Sequence, residues 1–153
     1  MFAQNTTEEI HFKLNPGATK PERAHPDDLG YDLFSNQAIT FHPGDVKLIG
    51  TGVSCKFPAF IGGLIKDRSS IASKRHLFTH AGVIDSGYRG EIKILFHNAS
   101  NYIQRINIGD KIAQMVLVPV VNPSNEAIVD AFENETERGS AGFGSTGNKS
   151  KER

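Results

Sequence analysis

The stretch RGSAGFGSTG, residues 138–147, offers an anion three kinds of donor. Gly139, Gly142, Gly144 and Gly147 let backbone N–H groups turn toward one point, Ser140, Ser145 and Thr146 add hydroxyls, and Arg138 supplies a planar fork for phosphate oxygens. No Gly-Lys-Ser/Thr follows, so this is not a Walker A loop. Phe143 between two glycines needs a flat partner, and a nucleobase is one. The same composition also fits a Gly-Ser tail that binds nothing. Arg68, Ser69 and Ser70 head a short helical run over 69–74, where N–H groups, hydroxyls and a guanidinium suit a phosphate, or cap an ordinary surface helix. Asp85-Ser86-Gly87 reads as a hairpin turn between Val83-Ile84 and a strand from Glu91. Its carboxylate, beside Tyr88 and Arg89, is either a local turn-former or a base that takes a proton from water. Asp32 in GYDLF marks the start of a strand. Gln114 in GDKIAQ either satisfies a core hydrogen bond, the favoured reading, or reaches a ligand. His76 and His80, four apart, lack a third ligand nearby and read as solvent-facing.

These residues must be carried by short elements, because fifteen glycines and seven prolines cut the chain into runs too brief for long helices. Strands are expected at 10–14, 38–41, 46–50, 52–57, 61–65, 91–98 and 111–121. In EIKILFHN, Ile92, Ile94 and Phe96 share one face and Lys93 and His97 the other, the period of a half-buried strand. Many short strands and a single short helix predict an all-β jelly-roll or sandwich. The composition turns glycine-rich and polar after Phe132. The expected division is therefore a β domain over 1–133 and a flexible C-terminal arm over 134–153, mobile until a ligand orders it.

The 153 residues suit one domain. Seventeen basic and seventeen acidic residues cancel, so no global field draws the chain to nucleic acid or to a membrane, and a charged ligand must be met locally. No apolar run approaches the ~20 residues of a spanning helix. The lone Cys55 makes neither an intrachain disulfide nor a thiolate zinc site. The N-terminal MFAQNTTEEI has no basic-apolar leader pattern, so the expected location is intracellular, cytoplasmic or nuclear, and not secreted.

Taken in order, GYDLFS (30–35), RSSIASK (68–74), GVIDSGYRGEIKILFHN (82–98), GDKIAQ (109–114) and RGSAGFGSTG (138–147) resemble the five motifs of the homotrimeric dUTP pyrophosphatase (dUTPase) family. The resemblance implies a β jelly roll, a homotrimer with active sites shared between chains, Mg²⁺, and hydrolysis of dUTP to dUMP and pyrophosphate, which lowers dUTP and supplies dUMP for thymidylate synthesis. It implies that Asp85 is the base for water attacking the α-phosphorus and that Tyr88 lies under the deoxyribose. It further implies that Ser69, Ser70 and Gln114 hold the phosphates with Arg68 organising the site, that Arg138 reaches the γ-phosphate, and that Phe143 stacks on uracil. Gly144, Ser145 and Thr146 would wrap the phosphate chain, and Asp32 would meet the Mg²⁺ through water. Asp67 stands where the family commonly has Pro and brings a negative charge near the expected phosphates. The related dCTP deaminases place a catalytic Glu where this chain has Leu95, which cannot do acid-base work.

Overall fold

The computed structural model describes residues 9–121, 123–132, 136 and 139–140. Residues Glu91–Asn98 form a strand in which Ile92, Ile94, Phe96 and Asn98 are buried and Lys93 is exposed, so the alternation expected of a half-buried strand decides which face meets the core. In chain order the elements are β1 (His11–Leu14), β2 (Gly30–Phe34), β3 (Ile39–Phe41), β4 (Val46–Lys56), β5 (Ile61–Asp67), α1 (Ser69–Arg75), β6 (Leu77–His80), β7 (Val83–Ile84), β8 (Glu91–Asn98), β9 (Gln104–Ile106) and β10 (Lys111–Pro119).

Two four-stranded sheets, ordered β1-β4-β8-β6 and β2-β10-β5-β7, enclose the core, and β3 pairs with β9 in a separate ribbon. From β4 to β8 the chain changes sheet at every step, the winding of a jelly roll. Leu33, Ile49, Val53, Ile92, Ile94, Phe96, Ile112 and Met115 fill the space between the sheets. Among the described residues all the strand pairings are antiparallel, which suits two sheets each wet on one side. Among the described residues, no helix is long and apolar enough to cross a membrane. Contacts divide the chain into two units, Met1–Val121, which holds the sandwich, and Asn122–Arg153. In the second, Gly139, with φ +51°, donates its N–H to the Thr136 carbonyl at 2.9 Å.

Three local expectations are corrected. The strands at 46–50 and 52–57 are one strand, β4. Gly52, at φ +69°, absorbs a register shift against β8 between Gly50 and Ser54 without ending the pairing. The turn at Asp85–Tyr88 forms, but it does not close a hairpin. β7 pairs with β5 and β8 pairs with β4 and β6, so the turn crosses from one sheet to the other. Finally, Ser69 and Ser70 do not cap α1. Arg68 holds the N-cap position in extended conformation, no side chain caps the helix, and both hydroxyls lie exposed in its first turn.

Candidate active site

The register of the second sheet sets Asp32 of β2 directly opposite Gln114 of β10. Side chains opposite one another in an antiparallel pair share a face, and here that face is turned away from the core, since Ala113 and Met115 on either side of Gln114 are fully buried. Gly30 makes room for the amide. A Cβ there would stand 2.3 Å from Gln114 Oε1. Gln114 Nε2 donates to the Asp67 carbonyl at 2.9 Å, tying the end of β5 to β10 just before the chain enters α1. Arg68, the next residue, donates from Nε to Asp32 Oδ1 at 2.8 Å. Gly30, Asp32, Arg68, Ser69, Ser70 and Gln114 thus line one cleft of about 410 Å³. It holds hydroxyls, an amide, a guanidinium and the uncapped start of a helix, a donor-rich set suited to phosphate oxygens.

Gln114 therefore meets both readings in part: its amide satisfies an internal hydrogen bond to the Asp67 carbonyl, and it lies half-buried on the cleft face. Asp67 departs from expectation. Its Oδ1 accepts the Thr79 N–H at 2.7 Å, so the carboxylate serves as a link from β5 to β6 and does not line the cleft. Two residues at this site had no functional reading from sequence. Lys111 Nζ lies 2.9 Å from Asp32 Oδ2 and 3.3 Å from Glu22 Oε1. Those carboxylates raise the lysine's pKa above its ordinary value, Asp32 most. Lys111 lies inside the GDKIAQ motif, which is a local signal, whereas Glu22 reaches the site through an isolated bridge to Asp32 that no short-range pattern announces.

Asp85 and Tyr88 line a second cleft of about 370 Å³, together with Leu48, His80, Lys93 and Leu95 among others. The Tyr88 N–H donates to the Asp85 carbonyl at 3.0 Å, closing the turn, and Tyr88 Oη donates to the Glu91 carbonyl at 3.0 Å. Arg89 Nη1 donates to the carbonyls of Ser86 and Tyr88 at 2.7 and 2.8 Å, stitching the turn from outside. The Tyr88 ring lies over Gly90, where a Cβ would come within 2.3 Å of Tyr88 Oη. The two clefts share no lining residue. Arg138, Phe143, Gly144, Ser145 and Thr146, and with them the expected mobility of the arm, lie outside the described residues.

Among the described residues, no three His, Cys, Asp or Glu side chains gather to hold a metal. His76 ends α1 in a left-handed conformation, while His80 stacks 5.6 Å from His97. What the first cleft can offer a cation is the carboxylates of Asp28 and Asp32, the latter keeping acceptor capacity beyond its two cationic partners.

The dUTPase family model matches residues 17–147. The chain belongs to the dUTPase family. It is 42% identical over 137 residues to the deoxyuridine 5'-triphosphate nucleotidohydrolase of Clostridium novyi, covering 88% of this chain and 95% of that protein. It is 37% identical over 131 residues to the protein of the same name from Saccharomyces cerevisiae, covering 86% and 88%. Among solved structures, the dUTPase of Staphylococcus bacteriophage 80alpha with dUPNHPP superposes with a TM-score of 0.86 at 34% identity, over 93% of this chain and 100% of that one. A mutant dUTPase from phage phi11 of S. aureus, described for its coordination of a structural Mg(II) ion, gives 0.77 at 30% identity, over 83% and 100%. This dUTPase thus has the jelly-roll sandwich of its relatives, with residues from the first, second and fourth motifs on one cleft and the turn of the third on another.

Proposed function

We propose that this dUTPase hydrolyses dUTP to dUMP and pyrophosphate, lowering dUTP and supplying dUMP for thymidylate synthesis in an intracellular compartment. The observation that carries the reading is the convergence of Arg68, Ser69, Ser70 and Gln114 beside Asp32. In a chain without net charge, that cleft concentrates fixed donors where a triphosphate needs them. Family membership over residues 17–147 supports the nucleotide assignment.

Asp85 takes the proton of a water whose oxygen attacks the α-phosphorus. The bond from that phosphorus to the bridging oxygen breaks, and pyrophosphate leaves with the electron pair. Tyr88 packs under the deoxyribose and leaves no room for a 2′-hydroxyl, while turn backbone groups pair with the uracil edge. A cytosine edge would leave those groups unpaired, and a 5-methyl group would not fit. Leu95, which lines the same cleft, has no acid-base chemistry, and this argues against deamination. Arg138 reaches the γ-phosphate, Phe143 stacks on the base, and Gly144, Ser145 and Thr146 wrap the phosphates as the arm of 134–153 closes and excludes bulk water.

Each complete site lies between chains of a homotrimer, the assembly that the motif resemblance implies, and the base and the phosphate donors lining clefts with no residue in common fit that arrangement. Mg²⁺ fits as a cation carried in by the triphosphate, since Asp32 suits acceptance from a metal-bound water better than direct ligation. When bound, it neutralises phosphate charge.

The test is to incubate the purified protein with dUTP, dCTP, dTTP and UTP in the presence of Mg²⁺ and to measure pyrophosphate and ammonia. Pyrophosphate from dUTP at least about a hundredfold faster than from the others is expected. Ammonia from dCTP, or no preference for dUTP, overturns the reading.

A further inference from the structure

Lys111 owes its place beside Asp32 to an irregularity in the sheet. Strict alternation running back from Gln114 would put Ile112 on the cleft face and Lys111 in the core. The β2–β10 register shifts between Lys111 and Ala113, so that Ile112 is fully buried and the lysine emerges on the face that carries Asp32. There its ammonium packs 5.5 Å from the centroid of the Phe34 ring and bridges Asp32 Oδ2 to Glu22 Oε1. Glu22 is itself fastened to Asp32 through the backbone, with Asp32 N–H donating to the Glu22 carbonyl at 2.7 Å. Asp32 is only 13% exposed and receives Arg68 on one oxygen and Lys111 on the other.

We propose that Lys111 is a positioning residue for the phosphate cleft. By occupying the second oxygen of Asp32, with Glu22 as its outer anchor, it limits Asp32 to the Nε of Arg68 and leaves the terminal nitrogens of Arg68 for the substrate. A carboxylate with both oxygens open takes a guanidinium side-on through two parallel hydrogen bonds, and would turn that fork away from the cleft. The inference rests on the reading of this cleft as the triphosphate site.

The experiment compares wild type, Lys111→Met, Lys111→Arg and Glu22→Gln by calorimetric titration with dUPNHPP and Mg²⁺, alongside steady-state kinetics with dUTP. Lys111→Met is expected to weaken analogue binding and raise KM about ten- to a hundredfold, with kcat changed much less, the effect of losing one hydrogen bond from a charged Arg68 nitrogen to the substrate. Lys111→Arg, which restores a cation, should return binding to within about threefold of wild type, and Glu22→Gln should weaken it about twofold. A folded Lys111→Met chain that binds the analogue as wild type does overturns the proposal. So does an Arg variant as impaired as Met. Should Lys111→Met fail to fold, unchanged binding in Glu22→Gln overturns it instead. Wild-type protein that does not turn over dUTP removes the functional reading, whereas normal turnover with unaltered binding in the variants removes the role of Lys111 alone.

Discussion

Asp85 opens a turn whose backbone is closed by Tyr88 and braced by Arg89, so its carboxylate is carried on a stiff support that spans two sheets. Asp85→Asn keeps the shape and removes the proposed proton acceptor. Turnover of dUTP should fall by about 10²–10⁴-fold, while dUPNHPP binds within a few-fold of wild type by calorimetry. Retained turnover removes Asp85 as the base. Gly30 is constrained more narrowly. Gly30→Ala puts a methyl against Gln114 Oε1 and forces the amide off the Asp67 carbonyl. A loss of about 1–3 kcal/mol in unfolding free energy is expected, together with a raised KM. A variant with unchanged KM would show that Gln114 does not reach the substrate.

The arm and the sandwich are separate elements in their demands. Among the described residues the core lies within Met1–Val121, so truncation after Glu137 should leave the thermal midpoint within a few degrees of the full chain while turnover drops about a hundredfold or more. Near-normal rates would refute the role of the arm. How far such elements can be read in advance depends on how local their causes are. β8 was legible residue for residue, because one wet and one dry face impose alternation on the sequence itself. β6 and β9 were not. LFTH follows His76, which turns the chain at φ +51° without the glycine that normally announces such a turn, and QRI is three residues long. Gly50 and Gly52 signalled a break, but neighbouring strands kept the pairing intact around the irregularity. In the site, Arg68 and the two serines alone read equally as a phosphate set or as the start of an ordinary surface helix. The assembly with Asp32 and Gln114 was visible only through motif order, because strands 36 or more residues apart bring them together.

At the scale of the whole molecule, the balance of charge hides a dependence on alkaline pH. Burial pushes the Cys55 thiol from an ordinary 9.0 up to about 12. Between those values the unfolded chain releases a proton that the folded chain keeps, so stability must fall as pH rises. Lys111 acts with the same sign. Its pairing with Asp32 and Glu22 stabilises the fold below the ordinary lysine pKa, and that contribution is lost as pH climbs through the raised value. The drop in urea midpoint between about pH 8 and about pH 10.5 should therefore be smaller in Cys55→Ala than in wild type. An equal drop would show that the thiol does not contribute. The proposed sharing of each complete site between chains, with the base and the phosphate donors on clefts that have no residue in common, carries a genetic consequence. A catalyst divided in that way can be repaired by mixing two broken versions of itself. Co-refolded Asp85→Asn and Arg68→Ala chains would each lend the other its intact half, and activity would return in proportion to the mixed assemblies formed, although either parent alone is dead.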